Sequence, residues 1–255
     1  MSNAKSIALI FDDYMKVFNV IAGVCSIIGV IVLIFSNYVN SIIALSCLIC
    51  FLILLLVLVL ETVRRFIKNS HVEPYEKVSV FMKFETSDST HSIFEMYRVI
   101  QAKRIVLTEV EQYFKWSGTK LPKVTSKAQA VKNVINYDTN TYDKAILVLK
   151  NPLLFNETGV LHFHAELDDY DGKAIPCLEH KVDMPVNIIH FRIILRHKND
   201  DFDVPAKLMR RKIDSCNIAV FETLESISFD KRSKSYEYHL ISPEVGYFYR
   251  IEWEK

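Results

Sequence analysis

The sequence predicts a membrane α-helical hairpin of two transmembrane helices followed by a mostly-β domain, an antiparallel β-sandwich or barrel. Three observations carry that prediction. Ile42 to Leu60 is a run of nineteen residues without a single charge. A second uncharged stretch, Val17 to Phe35, precedes it across a short polar connection. Beyond Pro74 the apolar residues stop recurring at helical spacing and begin to alternate, the period-two signature of half-buried strands.

Residues 2–16 open the chain with a small apolar run, Ile7 to Phe11, ahead of Asp12 and Asp13. The stretch from Val17 to Phe35 is longer than the apolar part of a secretion signal, acids precede it, and no small-x-small site follows it. It is therefore expected to stay as a span. The stretch from Ile42 to Leu60 covers about 28 Å as a helix, close to the ~30 Å hydrocarbon core of a bilayer. Fifteen of its nineteen residues are Leu, Ile, Val or Phe, which favours insertion by about −5 to −9 kcal/mol. The connection Ser36 to Ser41 is polar and lacks Lys and Arg, so the two helices are antiparallel neighbours. Lys5 and Lys16 precede the pair, and Arg64, Arg65 and Lys68 follow it. Positive charge is retained on the cytoplasmic side, which places both termini there and the connection outside.

The two spans differ in character. The second is Leu-rich and suited to lipid. The first carries Asn19, Gly23 and Ser26 at i, i+4 and i+7, flanked by Ala22 and Gly29. Small residues on one helix face allow close approach, and Asn and Ser hydrogen-bond between helices. This stripe packs the hairpin or an oligomer, or lines a pore once several hairpins assemble. No Asp, Glu, Lys, Arg or His lies inside either span, which argues against a proton relay or an ion-coupled transporter.

Residues 61 to about 70 extend the second helix into the cytoplasm, with the basic residues at the headgroups. Strands are then expected near 78–85, 93–101, 106–116, 143–150, 160–167, 189–196, 216–222, 235–241 and 247–254. In the strand expected at 160–167, Leu161, Phe163, Ala165 and Leu167 alternate with His162, His164 and Glu166. Turn residues such as Asp168-Asp169-Tyr170-Asp171-Gly172 separate the strands. Helix is scarce: Val204 to Ile213 is the best candidate, and Lys127 to Ile135 reads as helix or strand. The expected domains are a hairpin with a basic juxtamembrane helix over residues 1–70 and a cytosolic β-rich domain over 71–255.

Charge and cysteine content narrow the function classes. Of 31 Lys/Arg and 30 Asp/Glu, residues 1–70 hold five and three, which leaves 26 and 27 in the nearly neutral remainder. Bulk charge therefore names no nucleic-acid partner. Three of the five cysteines lie in the apolar segments, leaving Cys177 and Cys216, so no disulfide framework is suggested. No nucleophile elbow, Walker loop or dinucleotide fingerprint is present, and only four glycines follow residue 70. No catalytic residue and no cofactor is assigned, and the chain is not expected to be an enzyme.

Two kinds of constellation remain. His162, His164 and Glu166 fall on one side of a strand, where imidazoles at i and i+2 can share a metal, with His190 able to join from another strand. Alternating polar residues are also what the wet face of an antiparallel strand requires, and this is the preferred reading; no metal is assigned. Asp168, Asp169 and Asp171 fit a turn and lack the EF-hand spacing. The second kind is basic. Lys115, Trp116 and Lys120 combine cations with an aromatic ring, and Arg210, Arg211 and Lys212 cluster further on. Phosphate neutralisation with base stacking is what a nucleotide ligand requires.

Two apolar spans (17–35 and 42–60), the basic stop Arg64/Arg65 and a β-patterned region over 77–255 together resemble the two-transmembrane membrane effectors of bacterial antiphage systems. The resemblance is one of architecture, to the β-barrel effectors of CBASS cyclic-oligonucleotide systems and to the Hailong-type channel effector. It implies an oligomeric inner-membrane effector, a tetramer by the channel variant, controlled by a β-rich domain that senses a cyclic or linear oligonucleotide or a partner protein. It also implies a nucleotidyltransferase partner that makes the signal. The alternatives are a membrane-anchored scaffold whose β-sandwich binds another protein, and a membrane-tethered hydrolase using the His/Asp face.

Overall fold

The computed structural model describes residues 23–24, 26–27, 41–71, 73–136, 142–213 and 220–255. The chain divides into two compact units, Met1–Arg65 and Phe66–Lys255.

A 30-residue helix, α1 (Ser41–Ser70), contains the second apolar stretch and carries it past the charged residues Glu61, Arg64, Arg65 and Lys68. Over Ser46–Ser70 its most apolar window reaches a mean hydropathy of 2.8, and none of that window is buried. Leu48, Leu52, Leu54, Leu56 and Leu60 are all more than half exposed. Glu61 pairs with Arg65 at 3.2 Å and with Arg64 at 3.7 Å. Among the described residues α1 is the one helix long and apolar enough to cross a membrane; a two-helix hairpin is not shown. Of the expected first span only Gly23, Val24, Ser26 and Ile27 are described, all helical. Asn19, Ala22 and Gly29 lie outside the described residues.

The remainder is mostly β. Thirteen strands run β1 (Tyr75–Thr86), β2 (His91–Ala102), β3 (Val106–Phe114), β4 (Lys123–Thr125), β5 (Ala130–Ile135), β6 (Asp143–Leu154), β7 (Thr158–Asp168), β8 (Cys177–Val182), β9 (Ile188–Leu195), β10 (Ala206–Lys212), β11 (Glu222–Ile227), β12 (Ser235–Ile241) and β13 (Tyr247–Glu252). They form a six-stranded sheet in the order β12-β9-β1-β2-β7-β4, a four-stranded sheet β11-β10-β13-β8 and a three-stranded sheet β3-β6-β5. Every pairing is antiparallel except β1 with β9, which is parallel, a departure from the all-antiparallel expectation. Those two strands are separated by more than eighty residues, so no tight hairpin dictates their relative direction.

One face of the large sheet supplies the core. Val80, Met82, Met96, Phe163, Phe191, Ile193 and Tyr236 pack with Leu178, Leu208, Tyr249 and Ile251 of the four-stranded sheet and with Phe114 and Ala145 of the three-stranded one. A smaller cluster joins Tyr75, Ile100 and Leu161 to Leu107 and Val110.

Several expectations shift. Val204–Ile213 is not a helix: residues 206–212 form β10, paired on both sides. Ala206 and Leu208 share one face, and Met209 on the opposite face is buried as well. Two apolar residues in succession break the period of two and mimic helical spacing; the bulge opposite them belongs to β11, where Leu224 is the extra residue. Ala130–Ile135 is strand. Of the strand expected at 216–222 only residues 220–222 are described, since residues 214–219 lie outside the described residues; a strand begins at Glu222 and runs to Ile227. Two short strands, β4 and β8, were not foreseen.

Candidate functional site

The register of the six-stranded sheet lines up five rings across its outer face. His239 of β12 pairs with His190 of β9, His190 with Phe81 of β1, Phe81 with Tyr97 of β2, and Tyr97 with His162 of β7. Successive ring centroids are 4.0, 4.9, 6.2 and 4.6 Å apart. No local sequence signal announces this row, because each ring comes from a different strand and only pairing register aligns them. Two residues along each strand lies a polar row: Glu237, Arg192, Lys83, Glu95 and His164.

At one end the row is closed. His162 is fully buried, which corrects the expectation of a wet face there. Its Nδ1 accepts the Lys127 amide at 2.9 Å, so in the neutral ring Nε2 carries the proton and donates to Glu95 Oε1 at 3.0 Å. Gln129 substitutes for a missing strand partner: its Oε1 accepts the His162 amide and its Nε2 donates to the Val160 carbonyl, both at 2.8 Å. With both ring nitrogens of His162 engaged, it is not available to a metal. Glu95 also accepts from Lys127 Nζ and Tyr97 Oη, each at 3.1 Å. Burial by itself would raise the Glu95 pKa, but the hydrogen bonds from His162, Lys127 and Tyr97 prevail and bring it down to about 2. Glu95 is thus an anion at any physiological pH and pins the β2–β7 edge.

The middle of the row is open. Phe81 and Tyr97 are half-buried neighbours on the two central strands. Beside them Lys83 pairs with Glu85 at 2.7 Å, while Arg192 has a buried Nε that makes no hydrogen bond. Exposed Val160, Ile93 and Ile241 rim the same face. His190 cannot join His162 and His164 around one ion. Three strand spacings separate β9 from β7, about 14 Å, and its own partner is Glu237, at 2.7 Å. Glu166 pairs with Lys123. The three aspartates are engaged as a turn. Asp168 accepts Lys120 at 2.6 Å, Asp171 accepts Thr119 at 2.8 Å, and buried Asp169 accepts Lys255 and the Ala174 amide. Gly172 takes the left-handed φ of 67° that the turn needs.

The two basic groups singled out in the sequence lie apart in the fold. Lys115, Trp116 and Lys120 belong to the connection from β3 to β4, and Lys120 is held by Asp168. Trp116 lines a small pocket of about 50 Å³ with Phe84, Cys177, His197 and Trp253, and burial pushes the Cys177 thiol up to about 11, far from a thiolate nucleophile. Arg210, Arg211 and Lys212 are on β10. Because they occupy a strand, consecutive side chains point to opposite faces. Arg210 bonds Glu222 at 3.0 Å and covers the Tyr247 ring, whereas Arg211 sits over Phe221 and Phe248.

Sequence reasoning also missed an interior basic group. Lys77 and Arg98 are more than nine-tenths buried, and Lys77 bonds Asp183 at 2.6 Å. Arg98 leaves Nε and Nη2 without hydrogen bonds. Burial, then the charges of Lys77 and Arg98, push the nearby His180 down to about 3, so it stays neutral.

No family model matches the chain, and no curated protein matches it. Similar solved structures are remote. The M1 zinc metallopeptidase from Deinococcus radiodurans is 9% identical, with 71% of this chain and 42% of that one covered and a TM-score of 0.34. A putative protease from Parabacteroides distasonis is 8% identical, with 71% and 40% covered and a TM-score of 0.37. Baculovirus P35 is 9% identical, with 71% and 98% covered and a TM-score of 0.32. The chain spans less than half the length of the two peptidases.

Proposed function

We propose that this chain is an oligomeric membrane effector whose β domain reads a nucleotide-type signal on the outer face of its six-stranded sheet. The observation that carries this reading is the pair of half-exposed rings, Phe81 and Tyr97, side by side on the central strands next to Lys83 and the incompletely bonded Arg192. Rings on adjacent strands offer stacking surfaces to two successive bases, and cations one row away suit the linking phosphates. In this reading α1 pairs with residues 17–35 as a hairpin in the bacterial inner membrane, both termini are cytoplasmic, and the spans of several subunits, four by the channel analogy, respond to the bound signal. A nucleotidyltransferase is the partner that supplies it.

The test is calorimetry on the full-length protein in detergent micelles with cyclic and linear oligonucleotides. Phe81→Ala and Tyr97→Ala should each weaken binding by about 1–3 kcal/mol, roughly 5- to 150-fold. Trp116→Ala and Arg211→Glu report on the other two basic groups; a larger loss there would move the ligand off this face. Failure of every oligonucleotide to bind, with no ion leak when a signal-producing enzyme is co-expressed, would sink the proposal. A second reading then takes over, a membrane-anchored scaffold with a protein partner on the same face. The exposed Val160, Ile93 and Ile241 favour that reading.

A further inference from the structure

At the open end of the ring row, the edge strand β12 meets β9 with three ligating side chains converging. His239 stands directly opposite His190, and Glu237 lies two residues along β12 on the same face. One ligand atom from each falls within 4.8 Å of the other two. His190 Nε2 already contacts Glu237 Oε1 at 2.7 Å. None of the three belongs to the turn, the buried Glu95 network or the basic groups.

We infer that His190, His239 and Glu237 form a binding site for a divalent transition-metal ion, with zinc favoured by two imidazoles and one carboxylate. Such an ion binds nitrogen and oxygen at about 2.0–2.2 Å and spaces tetrahedral ligands about 3.3–3.5 Å apart. The present separations need only a modest closure, and both His239 and Glu237 are exposed and free to make it. One rearrangement is required. The two imidazoles are stacked, with centroids 4.0 Å apart and planes 15° from parallel, and a lone pair lies in the plane of its ring. His239 must therefore turn about its soft χ2 so that both lone pairs meet one ion. His190 is held in place by contact with Phe81 at 4.9 Å, so it acts as the fixed ligand. On binding, the neutral His190 ring changes tautomer by exchange with solvent, so that its one proton sits on Nδ1 and Nε2 turns its lone pair from the Glu237 contact to the ion, with no net loss of a proton. Three protein ligands leave the fourth position to water or to an anionic oxygen, the pattern of an open zinc site. Arg192, opposite Glu237 in register, opposes a cation there. Micromolar affinity is expected, well short of a closed structural site.

The proposal does not rest on the nucleotide reading, and it is tested with the metal alone. Full-length protein in detergent micelles, free of any histidine tag, is titrated with zinc chloride by calorimetry and with cobalt(II) by visible absorption. Wild type should bind about one ion per chain, with a tetrahedral cobalt spectrum and a higher melting temperature in zinc. Loss of a partner of a metal ligand typically weakens binding 10- to 100-fold, so loss of a ligand should cost at least about tenfold. His239→Ala and Glu237→Gln should each show that loss and lose the zinc-dependent thermal shift. Both side chains are exposed on an edge strand, so their melting without metal should match wild type. His91→Ala, at an exposed histidine that pairs with Asp88 in a turn, should bind as wild type does. No stoichiometric binding by wild type, or equal affinity in His239→Ala and Glu237→Gln, overturns the inference.

Discussion

Glu95 on β2 holds together His162, Lys127 and Tyr97 on the sheet's outer face. Three donors converge on one of its oxygens, from β7, β2 and the segment after β4. Its pKa of about 2 lies below the ordinary 4.5, so the stability it contributes is complete above about pH 4.5. That contribution is lost as pH falls through about 2. Glu95→Gln keeps the shape and removes the charge. It should cost about 1–3 kcal/mol near neutral pH, a melting-temperature loss of about 2–4 °C per kcal/mol. The gap between the two melting curves should shrink on acidification toward pH 2–3, and a gap that does not change with pH would contradict the role assigned to Glu95. Gly118 makes a second prediction at this scale. A Cβ there would lie 2.5 Å from Nε1 of Trp116, closer than carbon tolerates. Gly118→Ala should cost about 1–3 kcal/mol through displacement of the indole and should shift the tryptophan emission maximum. Unchanged melting and emission would mean that the ring yields freely.

Among the elements, α1 and β10 illustrate opposite balances of local and tertiary forces. In α1 every turn from Ile42 to Leu60 is apolar, and the charged residues follow only from Glu61 on. By length and composition the helix is apolar enough to cross a membrane. In β10 the local sequence is equivocal, and hydrogen bonds to β11 and β13 on either side settle the outcome. The small-residue stripe of the expected first span gives the test at this scale. Gly23→Leu or Ser26→Leu should block close helix approach and reduce toxicity or ion flux on overexpression, with membrane insertion retained. Matched substitutions at Leu54 and Leu56, both exposed on α1, should do little. Equal effects at both sets would reduce the spans to anchors and favour the scaffold.

For the whole molecule, the decisive quantity for the proposed function is which side of a bilayer carries the β domain. In the proposed topology, drawn from charge bias, residues 37–40 lie outside the cytoplasm and Ser70 inside. With the five native cysteines replaced, a single cysteine at Asn37 should react with an impermeant thiol reagent in intact cells, and one at Ser70 should not. The reverse pattern would remove any role that needs a cytoplasmic sensor. Chemical crosslinking in membranes, resolved by gel, should in addition give a ladder that ends at a defined oligomer; a monomer alone would exclude a pore built from several hairpins.

The apolar length of α1, its charged stop at Glu61–Lys68, the change to period-two alternation beyond Pro74 and most of the strands follow from local pattern. Each of these is written in nearest-neighbour pattern, where burial on one face and lipid on all faces leave different periods. The turn at Asp168–Gly172 was legible for the same reason, since its φ demand and side-chain caps are local. The parallel pairing of β1 with β9, the strand state of residues 206–212 and the burial of His162 come from long-range pairing in the fold. Strand register aligned His239, His190, Phe81, Tyr97 and His162, although Glu237-x-His239 in an expected strand was a signal that pointed to part of that row. It also split Arg210 from Arg211 onto opposite faces. These outcomes depend on register between segments more than a hundred residues apart in places. A one-residue slip in pairing turns every side chain to the other face, so no local pattern in a single strand can specify which residues meet across a sheet.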